Sequence, residues 1–341
     1  MRQWKGYRNG INLGGWFSQC EHTQEHYRSF ITKDDFEEFT GWGIDHVRVP
    51  VDYNLVERED GSFNEEGFRR IQRTIDWCEA FGLNMILDLH KTFGYSFDKG
   101  ENENGFFDSP ELQERFYRLW EEFARRYSRY EKRVAFELLN EVTDKDYSDR
   151  WNAIIRECVA RIRRISPTVT IVVGGYWNNS AEAVKDLPDL KDDNVVITFH
   201  CYEPLIFTHQ GAWWAEGMPL DFRIAYDAPI AQYNEANDRL FPQFSGRLRG
   251  YAKVDSAFFT DFMKEAVQIA EERNVPLYCG EYGVIEQVAP EDVLKWYREI
   301  HKAFDTYGIG CAAWSYKRMN FGLVDERMDS VRDELIELIK A

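Results

Sequence analysis

Positive charge is in short supply. Against 59 Asp and Glu the chain sets 42 Lys and Arg, leaving a formal charge of -17. Nucleic acid is thereby excluded as a partner, because phosphate contacts need a basic face. An anionic membrane surface or a strongly acidic substrate fits no better, and a neutral substrate is the easier match. Cysteine is also scarce: six in 341 residues (Cys20, Cys78, Cys158, Cys201, Cys279, Cys311), none in a CxxC or other metal-ligand spacing. Cys201, Cys279 and Cys311 fall in apolar runs, where a thiol serves as a small hydrophobe, so reduced thiols are expected. No window approaches a transmembrane span, and Met1-Arg2-Gln3-Trp4-Lys5-Gly6 lacks the apolar core of a signal peptide. The expectation is a cytosolic chain, or a secreted one whose signal has been removed, acting as a monomer. Repeats, low-complexity tracts and linkers are missing too, which argues for one domain, 1–341.

What the chain has in plenty is apolar and aromatic surface. Hydrophobic residues make up 44%, enough for a large core, and aromatics 16%, with eleven Trp. Most of these rings belong to packing. A surplus in loops is nevertheless what a protein stacking on sugar rings needs, because ring faces meet flat C–H surfaces.

Eight short apolar runs recur, at 10–15, 46–50, 85–90, 134–141, 169–175, 195–202, 276–283 and 310–316. Between them lie stretches with apolar residues at helical spacing, such as 67–80 and 111–120. Near-continuous apolar strands alternating with helices imply a parallel sheet covered on its outer face. Eight such units in this length predict a (β/α)8 TIM barrel. The spacing breaks once, between 202 and 276, where only 254–273 reads as the crossover helix. The remainder, 203–253, is rich in aromatics (Phe207, Trp213, Trp214, Phe222, Tyr226, Tyr233) and too long for a structureless loop. It is expected to be a helical subdomain inserted between strand 6 and helix 6, walling one side of a cleft.

The run 134–141 ends by presenting Asn140 and Glu141. Asn-Glu also occurs at Asn64-Glu65, Asn102-Glu103 and Asn234-Glu235, but there in polar surroundings. Only Asn140-Glu141 closes an apolar strand. A carboxyl at the mouth of a dry strand is costly to bury idle, and strand ends are where barrels keep catalytic groups. Polar groups accumulate at the same end of the other runs: Arg48, His90, His200 and Tyr202 (of one parity), Glu281 and Trp314. Gly-Glu recurs at Gly100-Glu101 in a polar loop, so strand context again singles out Glu281. Two carboxyls, Glu141 and Glu281, are therefore expected to meet across the barrel mouth. That is what glycoside cleavage needs: one protonated acid for the leaving oxygen and one carboxylate against the anomeric carbon. Burial and a neighbouring carboxylate both favour the raised pKa of the acid.

These residues, in this order and on these strands, resemble glycoside hydrolase family 5, the cellulase-type family of the retaining barrel clan. The likeness covers essentially the whole chain. It resembles in particular the clostridial endoglucanase C type, through Phe207-Thr208-His209-Gln210, Phe136-Glu137-Leu138-Leu139-Asn140-Glu141-Val142 and Leu277-Tyr278-Cys279-Gly280-Glu281. The resemblance implies Glu281 as nucleophile and Glu141 as general acid, then base. It implies that Arg48 and Tyr202 hydrogen-bond Glu281, that His200 sits beside Glu141, and that Asn140 bonds the sugar 2-hydroxyl. His90 would bind other ring hydroxyls and Trp314 would floor the central subsite. Outer platforms are assigned from loop position to Trp16, Trp177, and Trp213 or Trp214. One departure is visible: many members carry His-His after strand three, where this chain has His90-Lys91.

The same strand ends admit other chemistries. Asp88, Glu137 and His90 could ligate a divalent metal, but no further ligand run accompanies them, and structural roles are expected for both carboxylates. Lys91 follows a strand end, as a Schiff-base lysine does, yet is read as solvated. The function expected is an endo-acting, retaining β-glucanase cleaving β-1,4 bonds in cellulose-like or mixed-linkage β-1,3-1,4-glucans, with no cofactor. The alternatives are a β-mannanase or xyloglucan-active enzyme on the same fold, a sugar-binding barrel without turnover, and, more remotely, a metal-dependent isomerase.

Overall fold

The computed structural model describes residues 1–98, 100–101 and 103–340; Asn102, half of one discounted Asn-Glu pair, lies outside them. Eight parallel strands close into a barrel in chain order: β1 (Asn9–Asn12), β2 (His46–Asp52), β3 (Asn84–Lys91), β4 (Val134–Glu137), β5 (Ile171–Val173), β6 (Val195–Cys201), β7 (Leu277–Tyr282) and β8 (Gly310–Ala313). The fold is a (β/α)8 TIM barrel. Among the described residues no helix is long and apolar enough to cross a membrane. All six cysteines are free thiols.

Local chemistry accounts for the helices. Pro110–Tyr127 starts where Ser109 accepts the Leu112 N–H and Pro110 takes the first helical position. Its buried stripe, Phe116, Leu119, Trp120, Phe123 and Tyr127, follows the helical period. Pro290–Tyr307 ends on Gly308, whose φ of +69° suits glycine. Glu65–Phe81 and Ser256–Glu272 contain the stretches expected to be helical at 67–80 and nearly all of 254–273. Between β5 and β6 the crossover is short: a four-residue turn, Tyr176–Asn179, and a 3-10 segment, Ala181–Asp186.

The side-chain period of two sorts each strand between barrel interior and helix layer. Ile86, Ala135, Val172, Val196, Tyr278 and Ala312 form an inner apolar floor, with Trp4 against it. Two residues further along, the interior turns polar with Arg48, Asp88, Glu137 and Thr198, all fully buried. The alternate positions, such as Val47, Leu87, Phe136, Phe199 and Cys279, pack outward into the main core.

After β6, residues 203–255 form a short helix (Leu205–Thr208), a longer one (Ile230–Leu240), a 3-10 turn (Pro242–Phe244) and connecting turns. The segment is tied to the barrel's helix layer: Asp292 accepts the Tyr226 N–H at 2.9 Å, and the Trp296 indole donates to Glu203 O at 2.8 Å.

Candidate active site

Glu281 reaches the barrel interior through a bulge. In the β6–β7 ladder Phe199 pairs with Cys279, but His200 pairs with Glu281, leaving Gly280 as the extra residue. Cys279 faces the helices, so strict alternation would send Glu281 outward as well; the bulge turns it in. Gly280 is required there because a Cβ would lie 2.8 Å from Thr198 Oγ1 and 3.1 Å from His200 Nε2.

Arg48, fully buried, is the hub. Its Nε and Nη2 donate to Glu137 at 2.7 and 3.0 Å, and Nη2 also to Asn140 Oδ1 at 2.8 Å. Nη1 donates to Asn12 Oδ1 at 2.9 Å and to Glu281 Oε1 at 2.7 Å. Asp88 stands 3.0 Å from Nη2. One cation thus serves three buried carboxyls, an arrangement that cannot be neutral if all three ionise. Burial accordingly pushes Asp88 up to about 7 and raises Glu137, both against the pull of Arg48. Asp88 and Glu137 are thus both partners of Arg48; Asp88 also meets His90 Nδ1 at 2.5 Å.

The second oxygen of Glu281 accepts the Tyr202 hydroxyl at 2.8 Å. Across the mouth, Glu141 Oε1 lies 2.7 Å from His200 Nδ1, and Oε2 accepts Asn178 Nδ2 at 2.9 Å. His200 Nδ1 is also 3.6 Å from Glu281, so it stands between the two acids. Glu141, His200 and Glu281 offer polar atoms all within 4.8 Å of one another. The oxygens of this cluster are already met by Arg48, Tyr202 and Asn178, so a metal placed there would compete with an existing guanidinium. Burial pushes Glu141 up to about 7, against the hydrogen bond from Asn178. Burial takes His200 and His90 down to about 4, which keeps both rings neutral at pH 7.

His90 and Trp314 lie parallel, with centroids 5.7 Å apart and planes 5° off. Gly14 lets the Trp314 ring settle, since a Cβ there would come within 2.8 Å of it. Arg48, His90, Asn140, Glu141, His200, Tyr202, Glu281 and Trp314 thus converge on one mouth. Trp177, 47% exposed, and Trp213, 73% exposed, are open to a ligand, and Trp214 packs edge-on against Trp213. Trp16 is not open. It is fully buried, stacked on Phe17 at 3.9 Å, with its indole N–H on Tyr27 O, and has no free face for a sugar. Lys91 also differs from expectation. It is buried rather than solvated, with its ammonium on Asp98 and on Glu101 at 2.8 Å.

Three contributors were missed from sequence. Asn12 braces Arg48 from below. Asn178 and Asn179 follow Trp177 in a run of three left-handed residues (φ 48°, 56° and 55°) that sets Asn178 on Glu141 and Asn179 Nδ2 3.3 Å from His200 Nε2. The signal was present: Asn tolerates this conformation better than other non-glycine residues, and two stand together after the fifth strand.

A family model described as Cellulase (glycosyl hydrolase family 5) matches residues 6–320. Cellodextrinase A of Ruminococcus flavefaciens is 44% identical over 309 residues, 91% of this chain and 85% of that protein. Endoglucanase C of Acetivibrio thermocellus is 36% identical over 342 residues, 98% of each. Among solved structures, a hyperthermophilic endo-β-1,4-glucanase in complex with substrate gives a TM-score of 0.78 at 20% identity, covering 98% of this chain and 97% of that one. Thermotoga maritima Cel5A with cellobiose gives 0.77 at 22%, covering 98% of each. These structural likenesses concern the fold. The barrel, the carboxyl pair and the family match together define a glycoside hydrolase. Within that class the chain belongs to glycosyl hydrolase family 5, the cellulase family.

Proposed function

We propose that this chain is an endo-acting, retaining β-glucanase that cleaves β-1,4 bonds in cellulose-like or mixed-linkage β-1,3-1,4-glucans. The observation that carries the proposal is the approach of Glu141 and Glu281 oxygens to within 4.8 Å. Retaining enzymes hold their carboxyls about 5–5.5 Å apart, whereas inverting ones leave room for a water at about 6.5–9.5 Å. Likeness to an endoglucanase and a cellodextrinase over most of both chains supports a soluble, neutral β-glucan as substrate.

In the first step Glu281, both of whose oxygens accept donors as a carboxylate does, attacks the anomeric carbon. Glu141, raised to about 7 by burial, gives its proton to the departing oxygen. Water, deprotonated by Glu141, then releases the sugar from Glu281. Asn140 supports this reading: Arg48 fixes its Oδ1, and its buried Nδ2 has no partner, leaving a donor for the sugar 2-hydroxyl. His90 is assigned to other ring hydroxyls and Trp314 to the subsite floor. Trp177, Trp213 and Trp214 are assigned to outer subsites, and 203–253 is read as a subdomain walling the cleft. The two carboxyls and water complete the reaction without a cofactor.

The test is release of reducing ends from carboxymethylcellulose, barley glucan, lichenan, glucomannan and xyloglucan. The proposal expects turnover on the first three, abolished in Glu281→Gln with binding retained. Preference for glucomannan or xyloglucan would move the enzyme to a mannanase or xyloglucan-active reading. Binding by wild type without turnover would leave a sugar-binding barrel instead.

A further inference from the structure

The regular pairing of β4 ends at Glu137, four residues before Glu141, so the ladder does not hold the acid. The backbone there is unusual as well. Glu141 has a φ of +43°, a left-handed conformation that a glutamate rarely adopts unless its surroundings impose it. The imposing group comes from another loop. Tyr95, after β3, donates its hydroxyl to Glu141 O at 2.7 Å, and the Tyr95 hydroxyl oxygen in turn accepts the Thr143 N–H at 2.9 Å. No other hydrogen bond to that carbonyl forms among the described residues. One phenolic oxygen therefore clasps the turn on both sides.

Tyr95 is itself well fixed. Its backbone N–H and C=O pair with those of Thr92 at 2.9 and 3.2 Å, beside Gly94 at φ +83°. Its ring is buried, edge-on to Phe107 at 5.1 Å. We propose that Tyr95 is a positioning residue for Glu141, holding the main chain of the acid in the left-handed turn that aims its carboxyl at the leaving oxygen. The proposal rests on the reading of Glu141 as general acid. It makes no contact between Tyr95 and substrate necessary. Without the hydroxyl, Glu141 is free to relax toward the right-handed region, which swings its carboxyl away from His200 and Asn178.

The experiment compares Tyr95→Phe, Glu141→Gln and wild type on two substrates. Cellotetraose has a leaving group that needs a proton; 2,4-dinitrophenyl β-cellobioside has one that departs without. For Tyr95→Phe, kcat/KM on cellotetraose is expected to fall at least about tenfold, part of the 10²–10⁴ that general acid catalysis supplies. On the dinitrophenyl substrate it should stay within about twofold, which also shows the variant to be folded with its nucleophile in place. Equal losses on both substrates, or no loss on either, would overturn the role of Tyr95, provided Glu141→Gln discriminates between them. If Glu141→Gln itself fails to discriminate, the acid assignment falls and this proposal falls with it.

Discussion

Nη1 of Arg48 reaches Oε1 of Glu281 at 2.7 Å as well as Asn12, and the rest of the guanidinium is committed to Glu137, Asp88 and Asn140. The residue proposed as nucleophile is thus built into a buried polar network rather than mounted on its surface. A lysine could supply the charge but not the fork, since one ammonium cannot meet Glu137 bidentately and Glu281 together. Arg48→Lys is expected to lower kcat by about 10²–10³, as loss of a preorganised donor does. It is also expected to destabilise the fold by about 1–3 kcal/mol for each buried acceptor left without its donor. Steady-state kinetics and urea unfolding measure the two effects.

The alkaline limb of activity is assigned to Glu141. As the proposed general acid, Glu141 must be protonated to assist departure; burial pushes it up to about 7, so kcat/KM is expected to fall as pH rises through about 7. The Asn178 hydrogen bond favours the ionised form. Asn178→Ala therefore moves the alkaline limb to higher pH while lowering the maximum. A limb that shifts down, or stays in place, would contradict this assignment.

His301 offers a stability test away from the site. It is buried on the helix Pro290–Tyr307, 2.9 Å from the Tyr282 hydroxyl, and burial takes it down to about 3. Below the ordinary histidine pKa of about 6.5 the unfolded chain takes up a proton that the folded chain refuses. Stability from this group is therefore lost as pH falls from about 6.5 toward 3. His301→Gln should flatten the pH dependence of the unfolding midpoint over that range and leave the alkaline activity limb alone.

Lys91 anchors the loop after β3 through Asp98 and Glu101, with Phe97 set edge-on against His90. Burial works against its charge, but Asp52, Asp98 and Glu101 raise its pKa nonetheless. Lys91→Met leaves those carboxylates unopposed and loosens the loop. The expected result is a higher KM for cello-oligosaccharides with kcat near the wild-type value, the pattern of lost uniform binding.

The barrel was legible because its strands are apolar on both faces and its helices carry the helical period, signals that local sequence holds in full. The polar strand ends were legible for the same reason: Arg48, His90, His200 and Glu281 interrupt runs that are otherwise mostly apolar. What escaped depends on partners that the local period does not set. The bulge at Gly280 follows from the register against β6, not from β7 itself. Trp16 looks like a loop platform until Tyr27, Phe17 and Trp77 close over it. Lys91 looks solvated until the loop folds Asp98 and Glu101 back upon it. Tyr95, Asn178 and Asn179 act on Glu141 and His200 through loops whose courses no periodicity encodes.

The central claim is that Glu141 and Glu281 act on one bond from opposite sides, through a covalent sugar on Glu281. Proton NMR of the anomer released first from a β-linked cello-oligosaccharide, recorded before mutarotation, tests it most directly. Two displacements predict the β-anomer. An initial α-anomer would mean a single displacement by water and would contradict the account.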